Sequence, residues 1–176
     1  MSVYVLGALV VVAVFVAYEY RLRRPDTIVL HEKKAGLSIR SGSFYPRHFS
    51  VPIRRTTHSL QLTVDATAAG NLGIRIRLVG TAVPSPEHLP ALVRVGGWQT
   101  DAVARAAEEL QVMLQGFLKQ FTEQQDIHSL SSQKILDYLN EKASVSREKL
   151  GLEIVSLSIQ SFEPLDPQIA EALRQQ

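Results

Sequence analysis

Residues Ser59 to Gly80, SLQLTVDATAAGNLGIRIRLVG, decide the fold. Leu60, Leu62 and Val64 fall on one side of the opening run, and Ile74, Ile76 and Leu78 on one side of the closing run, with Arg75 and Arg77 opposite. Successive side chains of a strand point to opposite faces, so this period of two predicts a pair of antiparallel strands with one wet face. Gly70, Asn71 and Gly73 lie between the runs and accept the positive φ of a tight turn. The same four residues, Gly-Asn-Leu-Gly, lack the length and the closing Lys-Ser/Thr of a phosphate loop.

Upstream the pattern stays β-like. Thr27 to His31 is a short apolar run, Gly36 to Ser41 alternates, and Gly42-Ser43 turns the chain into Phe44 to Ile53. Downstream the period changes to that of a helix. Ser85-Pro86-Glu87 starts a short helix that stops near Gly96-Gly97, and Val103, Ala107, Leu110, Leu114, Phe117 and Phe121 then recur three and four apart along one long amphipathic helix. A second long helix is expected over Ser132 to Leu150, with Ile135, Leu136, Leu139 and Ala143 inward and Gly151 as its stop. Leu152 to Phe162 returns to strand with Val155, Leu157 and Ile159 on one face, and Asp166-Pro167 opens a short terminal helix, PQIAEALRQQ. Strands, then helices, then a late strand imply an α+β domain with helices packed on one face of an antiparallel sheet.

The chain opens differently. Residues 1–18 carry no charged side chain, and Arg21, Arg23 and Arg24 follow directly. Eighteen helical residues rise about 27 Å, close to the roughly 30 Å hydrocarbon core of a bilayer. A cleavable leader would carry its basic residues before the apolar run, so residues 1–24 are expected to be a retained transmembrane anchor with its basic stop, and residues 25–176 the folded domain. The three arginines on this flank, with no competing basic side chain on the other, predict a single-pass protein of the cell membrane with its N-terminus outside and its domain in the cytoplasm, Arg21, Arg23 and Arg24 setting the topology. Ala13 and Ala17, four apart on a bulky Val/Leu/Phe helix, are candidate interaction positions because small residues let helices approach closely, with lipid-facing filler as the alternative.

Composition removes several classes of chemistry. There is no cysteine, hence no disulfide and no thiolate site, and the formal charge of +2 leaves no nucleic-acid footprint. His31-Glu32 begins a zinc-type pattern, but Ala35 stands where the second ligand would be, and His31, His48, His58, His88 and His128 never recur at helical ligand spacing. Ser-x-x-Lys occurs at Ser131 and again at Ser146 without the companion motifs of a serine acyl enzyme, so both read as helix-start hydroxyls followed by a solvated lysine. Glu108-Glu109 diverge by about 100° on a helix and read as a wet face. Trp98, the one tryptophan, reads as core or helix-start packing or as an anchor for a partner. No catalytic residue, no cofactor and no metal site is expected.

Several local sequences, Phe44-Tyr45-Pro46, His48 to Pro52, Thr63-Val64-Asp65, Gly151 to Ile159, Phe162-Glu163-Pro164 and Ile169 to Leu173, together resemble the stomatin/prohibitin/flotillin (SPFH, band-seven) superfamily over roughly Ile28 to Gln176. The resemblance implies a non-catalytic scaffold that oligomerises or clamps onto integral membrane complexes. The coiled coil that zips such subunits into rings does not follow before Gln176, so the expected role is an accessory subunit that binds and stabilises a larger integral membrane complex, first a respiratory-chain supercomplex. Its partners would be that complex and membrane lipid. A self-oligomerising microdomain scaffold, or a regulator of a membrane protease, is the alternative.

Overall fold

The computed structural model describes residues 2–34, 36–127 and 129–166. In chain order its elements are α1 (Ser2–Glu19), β1 (Tyr20–Leu22), β2 (Thr27–Lys33), β3 (Gly36–Arg40), β4 (Phe44–Pro46), β5 (Ser50–Arg54), β6 (His58–Ala68), β7 (Leu72–Pro84), a 3-10 turn (Pro86–His88), α2 (Leu89–Gly96), α3 (Ala102–Glu123), α4 (Ser132–Leu150) and β8 (Leu152–Pro164). The helix expected over residues 167–176 lies outside the described residues. The α+β class holds, and every ladder among the named strands is antiparallel. The chain divides into two compact units, Met1–Thr56 with Trp98–Asp101, and Thr57–Gly97 with Ala102–Gln176.

In the first unit β2 is the centre of a three-stranded sheet ordered β3-β2-β5. Ile28, Val29 and Leu30 are consecutive and all buried, as befits a central strand covered on both faces, and Ile28 pairs Ile53 while Leu30 pairs Val51. A separate two-stranded ladder joins β1 to β4, Tyr20 opposite Pro46 and Leu22 opposite Phe44. That ladder ends α1. Helix becomes strand at Tyr20 with no residue between, and the Glu19 carbonyl accepts from the Arg47 N–H at 2.8 Å.

This geometry corrects the expectation of a transmembrane anchor. Among the described residues no helix is long and apolar enough to cross a membrane. The helix holds 18 residues, its last being Glu19, whose carboxylate bonds His48 at 2.8 Å. The transmembrane element of the fold and the single-pass placement in the cell membrane, N-terminus outside and domain in the cytoplasm, are therefore both withdrawn. Among the described residues Arg21, Arg23 and Arg24 have no span to orient.

In the second unit the decisive stretch folds as its alternation predicts. β6 pairs with β7 along its whole length, from His58 opposite Ala82 to Ala68 opposite Leu72. Leu60, Val64, Ala66 and Ala68 of β6 and Ile74, Ile76, Leu78 and Ala82 of β7 face the core. Gly70 (φ 86°) and Asn71 (φ 62°) make the turn between them. α3 lies on β6 and buries Ala106, Ala107, Leu110, Leu114 and Leu118; each leucine contributes about 2 kcal/mol of transfer free energy. Phe121 of α3 stacks on Tyr138 of α4 with ring centroids 4.5 Å apart, joining the two helices, while α4 packs on β8.

β8 departs from the expected alternation. Register shifts against β7 fall between Arg77 and Leu78 and between Thr81 and Ala82, so the pairs run Ile154 with Ala82, Leu157 with Gly80, Ile159 with Leu78 and Phe162 with Ile76. Each bulge adds one residue and restores the inward phase beyond it. Val155, expected inward with Leu157 and Ile159, is instead 59% exposed.

Candidate interaction surface

α1 presents apolar side chains around its whole circumference. Tyr4, Val5 and Leu6, then Leu9, Val10, Val11 and Val12, are all exposed, and consecutive helical residues lie about 100° apart, so between Tyr4 and Val12 no side of the helix is polar or covered. Ala13 and Ala17 are exposed on one side of it. A helix that is apolar all round is ordinarily a buried one.

The base of α1 is tied to the first unit by side chains. His48 lies beside Tyr18 at 6.3 Å between rings, and the Arg47 guanidinium sits 5.7 Å over the same tyrosine ring. The three arginines after the helix have different settings. Arg23 is built into the fold, its Nε donating to the Thr27 carbonyl and its Nη1 to the Arg40 carbonyl, both at 3.1 Å. Arg21 projects from β1, and the Arg24 side chain is exposed while its carbonyl accepts from Thr27 Oγ1 at 2.8 Å.

The same unit holds a cleft of about 400 Å³ lined by Glu32, Lys33, Lys34, His48, Phe49 and Trp98. Three pieces of chain form it. Lys33 closes the β2–β3 ladder opposite Gly36, which takes φ 117°; His48 and Phe49 lead into β5; and Trp98 comes from the short segment that returns to this unit. Phe49 is 75% exposed and Trp98 40%. Neither lysine has a carboxylate within ion-pair distance among the described residues. Trp98 was legible as a candidate from its rarity. Lys33, Lys34 and Phe49 carried a weaker signal, paired lysines at a hairpin end and an aromatic out of phase with the buried Ser50 and Val51.

Elsewhere polar groups serve the fold. His31 meets Ser38 Oγ across the β2–β3 ladder at 3.0 Å. Ser131 caps α4 by accepting from the Lys134 N–H at 3.3 Å, whereas Ser146, expected at a helix start, lies buried inside α4 and donates to the Ala143 carbonyl at 2.6 Å. Arg75 holds Asp65 across the hairpin through two bonds of 2.7 and 2.9 Å, and that guanidinium hydrogen bond draws the Asp65 carboxyl below its ordinary range. Among the described residues no group of three or more His, Asp or Glu is placed to hold a metal ion. No family model and no curated protein sequence matches this chain.

Proposed function

We propose that this chain is a non-catalytic accessory subunit that attaches to a larger assembly and steadies it, with α1 as the element that attaches. One observation carries the reading: α1 exposes large apolar side chains on every side while its base is fixed to the first unit. Uncovered apolar surface of that extent is costly in water and is the mark of a surface that another molecule covers. The proposal takes the cover to be the apolar flank of an integral membrane complex. It does not draw on α1 crossing a bilayer. The resemblance of Gly151 to Ile159 and its neighbours to SPFH domains supports the same role, since such domains act through surface, not through chemistry.

The test is isolation of the tagged full chain in mild detergent with its mass and companions identified. One copy travelling with unrelated subunits is expected. A homogeneous ladder of the chain's own multiples would overturn the proposal in favour of a self-assembling scaffold. Ala13→Leu with Ala17→Leu, which alters the shape of α1 but keeps it apolar, should reduce co-purification severalfold; full retention would exclude that side of the helix as the contact.

A further inference from the structure

The two units differ in charge. The first carries nine Lys and Arg against four Asp and Glu, the second ten against thirteen. Within the basic unit, positive charge and exposed aromatic surface meet in the cleft of Lys33, Lys34, Phe49 and Trp98. Each part of this arrangement costs something in isolation. Phe49 leaves three-quarters of its surface in water, two adjacent lysines repel each other, and among the described residues no carboxylate is within ion-pair distance of either. Glu32 lines the same cleft and offsets one of the two charges, and His48 turns its Nδ1 toward Glu19.

We propose that this cleft docks on an anionic lipid surface, Lys33 and Lys34 meeting phosphate-bearing headgroups and Phe49 and Trp98 entering the boundary beneath them. An acidic protein face would complement the lysines alone. A lipid surface offers a plane of negative charge with apolar matter directly below it, and so complements both halves of the cleft. Tryptophan settles at such boundaries because its ring is apolar and its N–H polar. The inference stands on the first unit's cleft and does not require α1 to dock, so either proposal can fail while the other holds.

Trp98 is the only tryptophan, which makes its fluorescence a reporter of this cleft and not of α1. The full chain, carried in mild detergent, is diluted into phosphatidylcholine vesicles with and without a minor fraction of phosphatidylserine. Emission from Trp98 should shift to the blue with the anionic vesicles, remain largely unshifted with the neutral ones, and lose the effect at high salt. Lys33→Gln with Lys34→Gln should weaken the anionic partition about 25-fold, at about fivefold for each lysine, and leave partition into neutral vesicles unchanged. Glu32→Gln should strengthen it, a gain that a misfolded variant could not produce. An equal blue shift with neutral vesicles, an unshifted emission in vesicle-bound protein, or anionic partition indifferent to both lysines would each overturn the proposal. So would an equal shift on adding polyglutamate without lipid, which would assign the cleft to an acidic protein.

Discussion

Gly151→Ala is the substitution whose cost the structure defines most closely. Gly151 ends α4 in the left-handed region, φ 67° and ψ 23°, with its N–H donating to the Arg147 carbonyl at 3.0 Å. A side chain there pays about 1–2 kcal/mol for the backbone conformation alone. It also has nowhere to go, because a Cβ would stand 2.5 Å from the His88 carbonyl oxygen, 2.6 Å from the Leu92 nitrogen and 2.7 Å from Leu92 Cβ. Two of those three atoms are backbone, so relief requires moving the 3-10 turn and α2, an overpacking cost of about 1–3 kcal/mol. The total is about 2–5 kcal/mol, a large part of the roughly 5–15 kcal/mol that holds a domain folded. Gly70→Ala is the control, since Gly70 also has positive φ, 86°, but nothing within 4 Å of its would-be Cβ. Urea unfolding of the full chain, followed by far-ultraviolet circular dichroism, should show Gly70→Ala losing only the conformational part and Gly151→Ala losing about 1–3 kcal/mol more. Equal midpoints for the two variants would mean that the approach of α4's end to His88 and Leu92 is not a constraint on stability.

Leu152→Asp, at a fully buried position opposite Pro84, should cost several kcal/mol, while Val155→Asp on the outward bulge should stay within about 0.5 kcal/mol; comparable thermal losses for both would refute the bulged register. Arg23→Ala should cost about 2 kcal/mol by orphaning the Thr27 and Arg40 carbonyls, and Arg21→Ala almost nothing, as read from amide exchange across β2 and β3. Asp65 is held below its ordinary pKa of 3.8 by Arg75, so its contribution is full above that value and is lost as pH falls through the lower folded value. Asp65→Asn should therefore flatten the decline of stability below about pH 4, weakly and less at high salt because the pair is exposed; an unchanged acid limb would show that the pair is inert.

The sequence carried the second unit's hairpin and α3 openly because both bury one strict face: nothing interrupts the period of two from Leu60 to Ala68 or the three-and-four spacing from Val103 to Leu118. β8 hid its phase. Its bulges answer to the partner strand, where Gly80 leaves the space that Leu157 and the Ser156 carbonyl occupy, a Cβ there falling 2.5 Å from that oxygen. No period within residues 152–164 records a requirement set at residue 80. The cleft was half hidden for a related reason, since Lys33, Phe49 and Trp98 are far apart in sequence and meet only through the return of residues 98–101 to the first unit. The apolar N-terminal run was plain from composition, but its helical length depended on the pairing of Tyr20 to Leu22 with β4, which residues 1–24 alone do not express.

α1 passes into β1 without a hinge, and β1 is clamped at once to β4, with Arg47 and His48 holding the joint. In the proposed attachment the helix is thus a handle, not a tether. A flexible linker would let the first unit sample every bearing around its point of attachment and leave only a local concentration effect. Here whatever grips α1 also sets the heading of the sheet behind it, so an error of one helical position at the grip would turn that sheet by about 100°. Position and bearing are delivered together.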